Sequence, residues 1–200
     1  MSPLLAVSNL IDRFNDRIGR LIRWLVLAAV LISAANAVLR KAFNLGSNAF
    51  LEIQWYLFAA VFLLGAGYTF LRNAHVRIDF ISSKLSKRTN AIIDAVGIVV
   101  FLIPLCLILI TLSWPLFHNA WVSGEMSQNA GGLIRWPVYG LIPLGFSILL
   151  LQAVSELIKR IAFLRGRIPE PMTVEQHKSD EEVLAEELAA AAEKKTAGGN

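Results

Sequence analysis

Arg72, His75, Arg77 and Asp79 fall within eight positions, directly after a long apolar run. Side chains of these types can do chemistry together. On a helix, His75 and Asp79 sit four residues apart on one face, the spacing of two ligands to one metal ion. A metal centre needs a third ligand nearby, and a catalytic site needs a pocket; the sequence offers neither. The same residues also suit a membrane boundary, where each cation over anionic lipid contributes about 1 kcal/mol.

Other chemistries find less support. A b-type haem needs histidines on facing helices at matching depth, and His75, His118 and His177 lie at opposite boundaries and in the tail. No Gly-rich phosphate loop and no Cys/His metal spacing occurs. The single cysteine, Cys106, lies deep in an apolar run, where a lone thiol packs as a small hydrophobe. Neither a cofactor nor an enzyme activity is expected.

The elements that position these residues are legible from composition. The chain has 200 residues, 56% of them hydrophobic, with mean hydropathy +0.57, against roughly 45–50% in soluble domains. The excess concentrates in four uncharged runs, residues 24–39, 53–71, 95–117 and 136–155. About 20 apolar residues at ~1.5 Å rise span a hydrocarbon core. The first run is slightly short, but Arg23 and Arg40 at its ends can snorkel to the headgroups. The expected fold is an all-α integral membrane protein. Four transmembrane helices, at about 23–40, 50–72, 91–117 and 136–160, form a membrane domain over 23–160. An amphipathic N-terminal helix (1–22) precedes it, and an interfacial segment lies between helices two and three. The remainder, 161–200, is acidic and Ala-rich beyond Pro169 and Pro171, and reads as a mobile cytoplasmic tail.

A formal charge of +4 can suggest a nucleic-acid partner, but position argues otherwise. With the N-terminus inside, the inner boundary holds Arg13, Arg17, Arg20, Arg23, Arg72, Arg77, Lys84, Lys87, Arg88, Lys159, Arg160, Arg165 and Arg167. The outer boundary holds Arg40, Lys41 and Arg135. That asymmetry follows the positive-inside rule and places both termini in the cytoplasm. Ala35-Asn36-Ala37 resembles a signal-peptidase site, yet more than twenty residues precede its apolar stretch, so the N-terminus is expected intact.

Val7, Ile11, Phe14, Ile18 and Leu21 recur at helical spacing and form one apolar stripe. It suits a helix lying on the inner leaflet before turning into the bilayer, or a docking helix for a partner. In the first span Ala29, Ser33 and Ala37 recur every four residues with Asn36 alongside, a face on which helices approach closely in lipid. Trp55, Trp114, Trp121 and Trp136 suit an aromatic belt at the outer interface.

Charges near the spans cluster at their ends: Glu52 outside, with Arg23, Arg72, Asp94 and Glu156 inside. The inner four come from four helices, two of each sign, and either form an ion-pair network or snorkel independently. A carrier with its own ion site is expected to place charge deeper.

Glu52-Ile53-Gln54-Trp55, Phe62, Gly65, Gly67, Arg72 and the run His75-Val76-Arg77-Ile78-Asp79 form one motif. Trp121 through Gly124 and Ser127 to Trp136-Pro137, then Leu141-Ile142-Pro143-Leu144-Gly145-Phe146, form a second. Together they resemble the small membrane subunit, of the DctQ type, of TRAP (tripartite ATP-independent periplasmic) transporters. The resemblance implies a bacterial inner-membrane scaffold subunit of a sodium-coupled importer of an organic acid such as a carboxylate. Its partners would be a periplasmic binding protein, a large membrane subunit and the phospholipid bilayer. It also implies that Glu52, Trp55, Arg72, His75, Arg77 and Asp79 serve subunit contact and membrane orientation. The alternative is a self-sufficient small carrier or channel acting as a homo-oligomer.

Overall fold

The computed structural model describes residues 3–43, 47–73 and 85–168. The segment carrying His75, Arg77 and Asp79, and with it most of the expected interfacial segment, lies outside the described residues, as does the acidic tail. Among the described residues every regular element is a helix, and the connection at 124–135 carries one isolated antiparallel bridge between Met126 and Ile134.

Helix α1 runs unbroken from Pro3 to Phe43, α2 from Asn48 to Leu71, α3 from Lys87 to Gly97, α4 from Ile103 to Ser123, and α5 from Trp136 to Leu164. A π-helical turn at Ile98–Leu102 joins α3 to α4, so Lys87–Ser123 makes one long span. Pro104 explains that turn. It has no N–H to donate, and the Ile103 N–H bonds to the Ile98 carbonyl, five residues back. Among the described residues, four helices are thus long and apolar enough to cross a membrane.

Local signals set the ends. Ser47 caps α2, its hydroxyl accepting from the Ala49 N–H at 3.2 Å, and Ser86 caps α3 through the Thr89 N–H at 3.1 Å. Asn73, at φ 51°, stops α2 in the left-handed region, which asparagine tolerates better than most residues.

The continuity of α1 changes how its first half is read. The helix does not break near residue 22 to lie apart from the bundle. Its small and polar residues Ser8, Asn15 and Gly19 are buried, at spacings that also put Asp12 on that face. Val7, Phe14 and Leu21, from the apolar stripe, are 46–57% exposed. Small and polar faces pack in membrane bundles because lipid is as apolar as leucine and satisfies the other side.

Helix α5 is the hub, packing against α1, α2, α3 and α4, and it carries the longest set of buried residues. Its contact with α2 is backbone-close. A Cβ added at Gly145 would sit 2.8 Å from both the Cβ and the carbonyl oxygen of Leu63. Gly67 on α2 plays the matching part, facing Asn15 of α1 and Ile148 of α5.

Candidate functional site

Polar groups gather at the two ends of the bundle. At the end where α1 begins and α5 finishes, a chain of hydrogen bonds crosses three helices. The Ser8 and Ser155 hydroxyls lie 2.7 Å apart, and Ser155 donates to Asp12 Oδ1 at 2.7 Å. Gln152 donates to the same Asp12 oxygen at 2.9 Å and accepts from Asn15 Nδ2 at 2.9 Å. Lys159 bridges Asp12, at 3.0 Å, and Glu156. Arg160 reaches Glu156 at 2.6 Å and Asp94 of α3 at 3.4 Å.

Ser8, Asn15, Gln152 and Ser155 have no exposed surface, and Glu156 and Arg160 are buried. Charges this far from water persist only when paired and hydrogen-bonded. The network therefore fixes the register of α1 and α3 on α5.

The expected inner-edge ions are wired differently from a direct four-way network. Asp94 and Glu156 converge, but through Arg160. Arg72 turns instead to Asp16 of α1 at 2.5 Å, and its guanidinium lies over the Tyr68 ring at 5.3 Å. The hydrogen bond to Asp16 raises the Arg72 pKa above its ordinary value. Arg23 is exposed and forms no ion pair among the described residues. The sequence reading missed Asp12, Asp16, Lys159 and Arg160 as partners. The signal was present in the helical spacing of Ser8, Asp12, Asn15 and Gly19, matched by Gln152, Ser155, Glu156 and Lys159 on α5.

At the opposite end, Glu52 organises the connection between α4 and α5. Its carboxylate accepts from the Ser127 hydroxyl, from Asn129 Nδ2 at 2.8 Å and from the Leu133 N–H at 2.7 Å. Tyr56 donates to the Ile134 carbonyl at 3.1 Å, and Asn48 to the Ala130 carbonyl at 3.0 Å. The glycine-containing stretch 129–132 is thereby a held turn. Arg135 pairs with Glu125 at 3.6 Å and donates to the Tyr139 hydroxyl at 3.0 Å, a hydrogen bond that raises the Arg135 pKa. A cavity of about 560 Å³ opens beside this loop, lined by Glu52, Trp55, Tyr56, Arg135 and Tyr139 among others. Phe117, Trp121 and Trp136 run as a chain of ring contacts, with centroids 6.1 and 4.4 Å apart.

Trp55 points outward, 74% exposed, with Leu51, Phe58 and Phe62 on the same helical face at 44%, 56% and 83%. Glu52 and Arg72 spend their polar groups inside the chain, while Trp55 belongs to an exposed apolar stripe.

Among the described residues, four apolar helices with polar side chains linking them at the bundle ends define a multi-pass, all-α membrane protein. The family described as tripartite ATP-independent periplasmic transporters, DctQ component, matches residues 29–163. The chain belongs to this family and is a DctQ-type small subunit of a TRAP transporter of the inner membrane. The family works with a large membrane subunit and a binding protein. No curated protein and no solved structure matches the chain.

Proposed function

We propose that the chain is the fixed scaffold of a sodium-coupled importer of an organic acid such as a carboxylate. A large membrane subunit supplies the substrate and sodium sites, and a periplasmic binding protein delivers the substrate. Both termini lie in the cytoplasm, in keeping with the basic residues gathered at the end where α1 begins and α5 finishes.

One observation carries the reading: the acidic side chains near the spans, with the groups they pair with, hold helix ends and a loop. Glu52 grips the 127–133 turn, and Asp12, Glu156, Lys159 and Arg160 clamp α1 to α5. The apolar middle of each span is left to packing. A scaffold needs such rigidity, whereas a carrier is expected to place ionisable groups near the midplane.

Direct subunit contact falls to the outward stripe of Leu51, Trp55, Phe58 and Phe62. Glu52 and Arg72 support that contact through the loop and helix they hold, and His75, Arg77 and Asp79 act in membrane orientation. Reconstitution in proteoliposomes tests the reading. Uptake of an organic acid is expected only with all three components and a sodium gradient. Transport by this chain alone would favour the homo-oligomeric carrier.

A further inference from the structure

Between α1 and α2, beside the short connection that joins them, lies a groove of about 520 Å³ lined by Ser33, Asn36, Arg40, Lys41 and Gln54 among others. Its volume is that of a small-molecule site. Two features mark it out. Asn36 is only 8% exposed, and its amide has no hydrogen-bond partner among the described residues. An amide on an apolar span, facing an open groove, demands a partner, and the groove is the side from which one can arrive. Arg40 and Lys41, at the mouth, meet no carboxylate in the groove lining and form no ion pair among the described residues.

The polar groups are graded by depth. Asn36 lies one helical turn, roughly 6 Å, deeper into the span than Arg40, and Ser33 about another 4.5 Å. Below them the surface turns apolar. Val30, one turn beneath Ser33, is 56% exposed. Cations, then amides and a hydroxyl, then exposed hydrocarbon, is the order in which a phospholipid presents its phosphate, its glycerol esters and its chains. A partner's carboxylate would satisfy the two cations alone and leave the deeper groups unexplained.

We propose that this groove binds the headgroup of an anionic phospholipid. Arg40 and Lys41 hold the phosphate, and the Asn36 and Gln54 amides donate to the ester carbonyls a turn deeper. The site goes beyond the scaffold role and does not depend on which side of the membrane this end faces. A lipid wedged there would complete the surface between α1 and α2.

Native mass spectrometry of the full chain in mild detergent tests the site, titrating phosphatidylglycerol, phosphatidylcholine and inorganic phosphate separately. One phosphatidylglycerol is expected to be retained roughly tenfold to thirtyfold more tightly than phosphatidylcholine, the preference that two membrane-surface cations supply. The Arg40→Gln/Lys41→Gln variant is expected to lose that preference, and Asn36→Leu to weaken retention of both lipids. Exposed Arg40 and Lys41 leave folding intact if Asn36→Leu does not. Equal retention of the two lipids, or a preference that survives the double variant, would overturn the proposal. So would displacement of the lipid by equimolar inorganic phosphate, which would make the site an ion site. Cross-linking of Lys41 to a protein carboxylate in native membranes, with no lipid retained, would assign the groove to a protein instead.

Discussion

The Glu52 carboxylate accepts a hydrogen bond from the Leu133 backbone N–H at 2.7 Å, across 81 residues of chain. One side chain in the second turn of α2 thereby sets the shape of the connection between α4 and α5. Glu52→Gln replaces an all-acceptor group with one that also presents donors to Asn129 Nδ2 and the Leu133 N–H. Hydrogen exchange read at Leu133 and Ser127 should accelerate while α1 and α5 stay protected. Unchanged exchange at Leu133 would show that the loop holds itself.

The α2–α5 crossing depends on Gly145. Gly145→Ala pushes a methyl against the Leu63 backbone and is expected to destabilise by about 1–3 kcal/mol. Gly97 is the control, since a Cβ there meets nothing within 4 Å. Gly97→Ala is expected to stabilise by about 0.5–1 kcal/mol through helix propensity. Thermal unfolding in detergent compares the two, and equal shifts would contradict the packing account.

Arg160 and Glu156 form a buried pair at 2.6 Å. Arg160→Met and Glu156→Gln are each expected to cost about 1–3 kcal/mol, because each removes a charge-assisted hydrogen bond and leaves the buried partner to its second ion, Lys159 for Glu156 and Asp94 for Arg160. The double variant should cost clearly less than the sum of the two. Strict additivity in the double-mutant cycle would mean that the pair is not coupled.

Arg72 and Asp16 are closer still, but their side chains are 57% and 32% exposed. Solvent screening keeps such a pair near 0–1 kcal/mol, roughly. Arg72→Gln should therefore leave the unfolding temperature almost unchanged while Arg160→Met lowers it sharply. A large loss at Arg72 would assign it a contact beyond Asp16.

The spans were legible because bilayer thickness leaves a length signature in composition, and the family was legible in the joint spacing of Glu52, Trp55, Gly67, Arg72 and the Trp136-Pro137 segment. The unbroken course of α1 was not, since Arg20 and Arg23 look like a membrane boundary in any sequence. The buried face of its first half was hidden for a related reason. A polar face opposite an apolar stripe reads as turned to water, whereas here the Ser8–Asp12–Asn15–Gly19 face packs and Val7, Phe14 and Leu21 stay exposed. Charge alone could not choose partners for Arg72. The α1–α2 hairpin brings Asp16 to it before Asp94 or Glu156 can reach, and Arg160, which suits snorkelling at a helix end, turns inward to take both of those acids.

The central claim is that this chain works as a scaffold bound to a larger partner. Its most direct test is to purify the tagged full chain from native membranes in mild detergent and identify what accompanies it by mass. The account predicts a large polytopic subunit at near-equal stoichiometry, lost when Trp55 and Phe62 are both changed to Ala. Recovery of the chain only with copies of itself would contradict it.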